Sequence, residues 1–198
     1  VLLRLGTPPR QAVVFCAPRT ARAGLFLTLS HALTSIAVSC KRAQALDVHF
    51  FVGCIAETPA KLELSYRQST QARAYAFPEQ AAPVTTYEDV LAGKLLPCPE
   101  PPEELLRDIP AAVQCGSRAA FVQNCEALFA WFVEREIRDA TFIRMCVLRL
   151  CYSILKKPAS DMPMSYYEFT NFQQEIMAAA SMEELRACFE NFVSLYWL

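Results

Sequence analysis

Two short apolar runs open the chain, VLLRL and AVVFCA, and Gly6, Thr7, Pro8 and Pro9 lie between them. Their Val, Leu and Phe content without helical spacing predicts two antiparallel strands, Val1–Leu5 and Ala12–Ala17, joined by a turn, with Pro18 ending the second. From Thr20 to Leu46 the pattern changes. Leu25, Leu29, Leu33, Ile36 and Cys40 recur at three- and four-residue intervals, which predicts one long helix with a single buried face. DVHFFVGCIA, beginning at Asp47, is short and densely apolar and reads as a strand. Thr58 and Pro59 then suit the cap and first turn of a helix that reaches Phe77 and stops at Pro78. Its inner stripe, Leu62, Ser65, Ser69, Ala72 and Ala76, is mostly small, which lets a helix backbone sit close against a sheet while Arg67, Gln71 and Arg73 stay wet. VTTYEDV reads as an edge strand, and Gly93 to Pro102, with four prolines, as a linker.

Beyond the linker the period is helical throughout. Helices are expected over Glu103–Cys115, Ser117–Glu136, Asp139–Lys157, Ser165–Ala180 and from Ser181 to the end. Phe121, Cys125, Leu128 and Phe132 mark one buried stripe, Ile143, Val147, Leu150 and Ile154 a second, and Leu185, Phe189, Phe192 and Tyr196 a third. Three such stripes predict a helical bundle. Ser181 and Glu184 form a capping box that starts a new helix there.

Composition narrows the function classes. The chain has 198 residues, 54% of them hydrophobic, and a net charge of -1, so charge gives no reason to expect binding to nucleic acid or to an anionic surface. The most apolar stretch, Ala23 to Ser39, is shorter than a membrane span and is interrupted by Thr28, Ser30, His31, Thr34 and Ser35. No membrane partner is expected. The nine cysteines are an odd number without a Cys-x-x-Cys pair, and they read as small core residues of a protein in a reducing cytoplasm. Val1 falls inside a predicted strand, so the chain is expected to be a piece of a longer protein.

Candidate chemistry is sparse. Of the two histidines, His31 lies on the long helix and His49 at a strand start, and neither has the neighbours of a nucleophilic triad, so both read as structural or surface residues. Cys40, His49 and Cys54 are ligand types that zinc accepts, but their spacing straddles a helix end and a strand, which argues against a site. Cys146 and Cys151 are five apart, off the same-face spacing of a helix, and read as core filling. Glu103, Glu104, Glu183 and Glu184 sit in first helical turns, where negative charge complements the helix dipole. Arg118, Arg135, Arg138, Arg144, Arg149, Lys156 and Lys157 are diluted by acids and lack a helix-turn-helix pattern, so DNA binding by this chain itself is not expected. Phe129, Trp131 and Phe132 point in more than one direction around a helix, and that surplus suggests an interface such as a homodimer's. No catalytic, cofactor-binding or metal-binding residue is assigned, and no cofactor is expected.

The order of elements invites a family comparison. RLGTPPRQAVVFCAP resembles the hairpin of GGDEF domains, the diguanylate cyclase fold, whose Arg-x-Gly-Gly-Asp-Glu-Phe turn leads into an apolar strand: Arg4, Gly6, Ala12 to Phe15 and Pro18 match that outline. At the tip, Thr7 replaces the second glycine and Pro8 and Pro9 stand at the acidic pair. Proline offers neither an N–H for phosphate nor a carboxylate for metal, so the resemblance implies a structural hairpin that has lost the cyclase chemistry.

A second resemblance covers more of the chain. HFFVGCIAETPAKLELSYRQSTQARAYAF is similar to the central region of AraC-type two-component response regulators, with Gly53, Ser65, Tyr66, Ala72, Tyr75 and Phe77 at matching places, Ser69 in place of the usual Ala, and Tyr87, Glu88 and Asp89 following at the expected distance. The resemblance implies a partial GGDEF-like, ferredoxin-like antiparallel sheet with helices over 1–92, a Pro-rich linker over 93–102 and an all-α bundle over 103–198, α+β in class. The usual first strand and helix of that fold have no counterpart here. It further implies a non-enzymatic, cytoplasmic signal-relay and dimerisation module, with a receiver domain and a DNA-binding helix-turn-helix domain as partners in the same full-length protein, DNA being reached only through the latter. The alternative is a small-molecule sensor that binds a metabolite or nucleotide in the degenerate cyclase cleft or in the bundle.

Overall fold

Antiparallel pairing of β1 (Leu2–Leu5) with β2 (Arg10–Val13) opens the chain, with Leu2 opposite Val13 and Leu5 opposite Arg10. The computed structural model describes residues 2–5, 10–13, 15, 22–95, 98–155 and 166–195, and over these the chain is a helix-rich α+β protein. The expectations placed on the Gly6 to Pro9 turn, Cys16, Pro18, Lys156, Lys157 and Tyr196 lie outside the described residues. Two compact units are present, 1–48 and 49–198.

The first unit contains the hairpin and α1 (Arg22–Gln44). Of the expected stripe on α1, Leu33 is buried and Leu25, Leu29 and Cys40 are half-buried, whereas Ile36 is exposed and Ala37 is buried in its place. Its serines are compatible with helix because they bond backward: Ser35 Oγ donates to the His31 carbonyl at 2.9 Å and Ser39 Oγ to that of Ser35 at 2.8 Å. Among the described residues no helix is long and apolar enough to cross a membrane.

In the second unit, β3 (Phe50–Val52) and β4 (Val84–Thr86) pair in parallel, Phe50 opposite Val84 and Val52 opposite Thr86. This corrects the antiparallel expectation for these strands. Between them runs α2 (Leu62–Tyr75), and a strand that returns through a crossover helix re-enters the sheet in its original direction. A 3-10 turn, Pro59–Lys61, leads into α2; Thr58 precedes Pro59 as expected, but its side chain makes no capping bond. β3 is also far shorter than Asp47 to Ala56. The ladder stops because α2 takes over the backbone of Cys54: its N–H donates to Gln68 Oε1 at 3.2 Å and its carbonyl accepts from Ser65 Oγ at 2.6 Å.

The expected edge strand is strand only as far as Thr86. Tyr87 begins α3 (Tyr87–Leu95), which also absorbs the first residues of the expected linker. Asp89 Oδ2 accepts from the Thr86 N–H at 2.8 Å and from Thr86 Oγ1 at 2.7 Å, and Thr86 Oγ1 accepts from the Asp89 N–H at 3.1 Å. That reciprocal cap turns the chain into helix.

The bundle follows as α4 (Glu103–Gln114), α5 (Arg118–Glu134), α6 (Ala140–Leu155), α7 (Tyr166–Ala178) and α8 (Met182–Ser194); the first four lie within two residues of their expected bounds, and α8 starts one residue after Ser181. Every described member of the three predicted stripes is buried. Phe77 joins the same buried cluster from the far side of the Pro-rich stretch, and the β3 to α3 segment falls in one unit with the bundle. The observed division lies at 48/49, and the Pro-rich stretch falls inside the second unit. The capping box forms as expected at one half: the Glu184 N–H donates to Ser181 Oγ at 3.0 Å, while Glu184 Oε2 accepts from the N–H of Ala180, one residue before the expected partner, at 2.7 Å.

Two helices end alike with different residues. After α4, Gly116 has φ of 71°, its N–H donates to the Val113 carbonyl, and Ser117 N–H donates to that of Ala112. After α5, Glu136 takes φ of 51° with the matching bonds to Val133 and, from Ile137, to Phe132. A Cβ in this left-handed region is strained, so Glu136→Gly is expected to stabilise the chain by about 1 kcal/mol in urea unfolding.

Candidate functional site

The residues that carry the family resemblance gather around one helix. α2 lies so close on the segment after β3 that a Cβ at Gly53 would fall 1.9 Å from the Ser65 carbonyl oxygen and 2.7 Å from its carbon. The expected small stripe explains the approach: Ala72 is 0% exposed, Ala76 is buried, and Ser65 and Ser69 are half-buried. Leu62, the large member of the stripe, is exposed instead. Ser69 Oγ turns back to the Tyr66 carbonyl at 2.8 Å.

At the other end of α2, Tyr75 covers α3. A Cβ at Gly93 would lie 2.2 Å from the Tyr75 hydroxyl, so glycine makes room for the ring. Burial, together with the nearby Asp139 carboxylate and Cys98, pushes the Tyr75 hydroxyl above its ordinary pKa. Phe77, 1% exposed, enters the bundle core, and the Arg144 guanidinium stands 4.8 Å from its ring centroid. The same guanidinium donates at 2.7 Å to the Ala179 carbonyl at the corner between α7 and α8. Burial holds its pKa down, with Asp139 and Glu184 acting the other way.

The remaining candidates are placed separately. His31 is exposed on α1, and His49 is half-buried with Nδ1 3.3 Å from the Ala82 carbonyl, beside the start of the parallel pair. Among the described residues no three of His, Cys, Asp and Glu are grouped to hold a metal ion. Asp89 is committed to the α3 cap. Glu103, Glu104, Glu183 and Glu184 occupy the first turns of α4 and α8, as their spacing implied. Of the described basic candidates, Arg118, Arg135, Arg138 and Arg149 are exposed, and Arg144 is the half-buried one. Phe129 and Phe132 are buried, and Trp131, half-buried, packs edge-on against Phe132 at 5.4 Å; these rings belong to the bundle and not to a separate face.

Cys125, Cys146 and Cys151 are buried in the bundle. Burial is the main cause that raises Cys125 to about 12 and Cys146 to about 11, and it raises Cys151 as well. The folded chain therefore holds these thiol protons above pH 9.0, where the unfolded chain releases them. Stability from this source is complete below that pH and falls as pH rises above it. Thiol-specific labelling at pH 8 is expected to reach exposed Cys115 in the folded chain and the three buried cysteines only after denaturation. Equal labelling rates would show the core open.

The arrangement as a whole joins a parallel strand pair, one closely packed helix and a bundle through side chains that are each already engaged in packing or capping. Sequence reasoning found the motif on α2 but missed its far contacts with Arg144 and Gly93, which no local pattern announces. Compared with known proteins, the chain matches no family model, no curated protein and no solved structure.

Proposed function

We propose that the chain is the non-catalytic central signal-relay and dimerisation module of a bacterial AraC-type DNA-binding response regulator. One observation carries the reading: the motif residues that suggest the family are spent on architecture. Gly53 and Ser65 seat α2 against the segment after β3, Tyr75 locks onto α3, Phe77 plugs the bundle, and Asp89 caps α3. Such residues suit a part that transmits position. In this reading a receiver domain lies before the module and a helix-turn-helix domain after it in one cytoplasmic protein, and only the latter touches DNA. Exposed apolar side chains such as Val133 at 58% and Tyr167 at 81% offer surface for self-association.

The test is made on the longest natural chain that carries these 198 residues. Phosphorylation by a small phosphodonor should tighten binding to its operator DNA and favour the dimer in sedimentation. A natural chain with neither a receiver nor a DNA-binding domain overturns the proposal.

For catalysis the expectation is nil. With Thr7, Pro8 and Pro9 in the sequence where the resemblance puts the second glycine and the acidic pair, and Asp89 committed to a cap, the purified chain should form no cyclic dinucleotide from GTP with magnesium or manganese. Detectable turnover contradicts this. A saturable thermal shift with a nucleotide or metabolite would instead favour the sensor alternative, since a ligand at 100 times its Kd adds about 2.7 kcal/mol.

A further inference from the structure

Arg144 occupies a place that an apolar side chain would fill at lower cost. It is half-buried, its Nε has no hydrogen-bond partner, and removing it from water lowers its pKa. What the guanidinium does there is touch two places at once, the residue just past α2 and the corner between α7 and α8. Its Cζ lies over the ring of Phe77, two residues past α2, and an Nη donates to the Ala179 carbonyl at 2.7 Å. Leucine or methionine could fill the volume but could do neither.

Both contacts lead further. Phe77 is, among the described residues, the one member of the bundle's buried cluster that comes from before α4, and its backbone continues directly from α2. α2 is in turn seated on Gly53 and Cys54, the continuation of β3. On the other side, Ala179 precedes Ala180, whose N–H is held by Glu184, and Leu185 N–H donates to the Ser181 carbonyl in the first turn of α8. A continuous series of contacts therefore runs from β3 through α2, Phe77, Arg144 and Ala179 to the start of the last helix. Asp139 at the start of α6 and Glu184 at the start of α8 oppose the effect of burial on the guanidinium's pKa.

We propose that Arg144 is the positioning residue of a conformational joint that couples the end of α2 to the corner between α7 and α8. A displacement of β3 and α2 is thereby passed to α8, the last described helix. The use of this joint in signalling rests on the relay reading above, but the coupling itself is a property of this chain and is measured without a receiver or DNA, so the two can fail separately.

The test is a double-mutant cycle on the whole chain with Phe77→Leu and Arg144→Met, read by hydrogen exchange at the Ala180 and Leu185 amides. Arg144→Met should speed exchange there about tenfold, and Phe77→Leu, which trims the ring under the guanidinium, should speed it about threefold. Once Arg144 is Met, adding Phe77→Leu should change the rate at the corner by less than about 1.5-fold. If Arg144→Met does not fold, Arg144→Lys serves, since an ammonium lacks the planar fork needed to stack on one group and reach the other. Exchange at Ala180 and Leu185 that ignores Phe77→Leu, or that multiplies independently in the double variant, overturns the joint and leaves Arg144 a local packing residue.

Discussion

Gly53→Ala is expected to destabilise the second unit by at least about 3 kcal/mol, enough to lower its urea midpoint sharply or prevent its folding. The added carbon would fall 1.9 Å from the Ser65 carbonyl oxygen, and the obstacle is backbone, so no rotamer change relieves it. Either α2 lifts from the segment after β3 or Cys54 loses its bonds to Ser65 and Gln68. Gly24→Ala is the matched control. Nothing lies within 4 Å of a Cβ at Gly24, on α1, so the same change there should stabilise by about 0.5 to 1 kcal/mol through helix propensity. Equal effects at the two glycines would mean that α2 does not approach so closely in solution.

The second large effect concerns α8. Phe192 is fully buried, with ring centroids 6.1 Å from Phe169 and 5.7 Å from Phe172, both on α7. Phe192→Ala removes the side chain that those two rings meet and leaves a cavity in the buried cluster. The expected cost is about 3 to 5 kcal/mol. Tyr167, on the same α7 but 81% exposed, should change stability by less than about 0.5 kcal/mol on replacement by Ala. A Phe192→Ala variant as stable as Tyr167→Ala would remove α8 from the core.

The helices were legible in the sequence because a 3.6-residue period is a local property. Phe121 to Phe132 and Ile143 to Ile154 declare both their helices and their buried sides without reference to anything distant. The small stripe on α2 likewise announced a close approach, and Gly53 against Ser65 realises it. What could not be read is what depends on distant partners. β3 ends at Val52 because side chains eleven and fourteen positions beyond Cys54 take its backbone bonds, and apolar density from Val48 to Ala56 gives no sign of that. The strands pair in parallel because a helix intervenes, although the resemblance implied an antiparallel sheet.

Tyr87 is a different kind of miss. The β-branched run before it favours strand, yet Thr86 and Asp89 carry the spacing of a capping box, a signal that was present and outweighs strand propensity once Asp89 accepts two bonds. Phe77 shows the limit most clearly. It was visible as a motif residue at a helix end, but nothing local says that a ring beyond a helix terminus enters another layer's core, or that an arginine 67 positions later covers it. The candidate site was accordingly legible as a list of residues and not as a joint.

Because the motif residues tie α2 to the bundle, the β3 to α3 segment and the helices α4 to α8 should unfold together. Residue-resolved native-state hydrogen exchange measures this directly by comparing the slowest amides of α2, near Ala72, with those of α6, near Val147, both 0% exposed. The account predicts opening free energies equal to within about 1 kcal/mol, with the same dependence on urea. If α2 opens about 3 kcal/mol or more below α6, the segment folds apart from the bundle and the architectural role given to Gly53, Tyr75 and Phe77 is wrong.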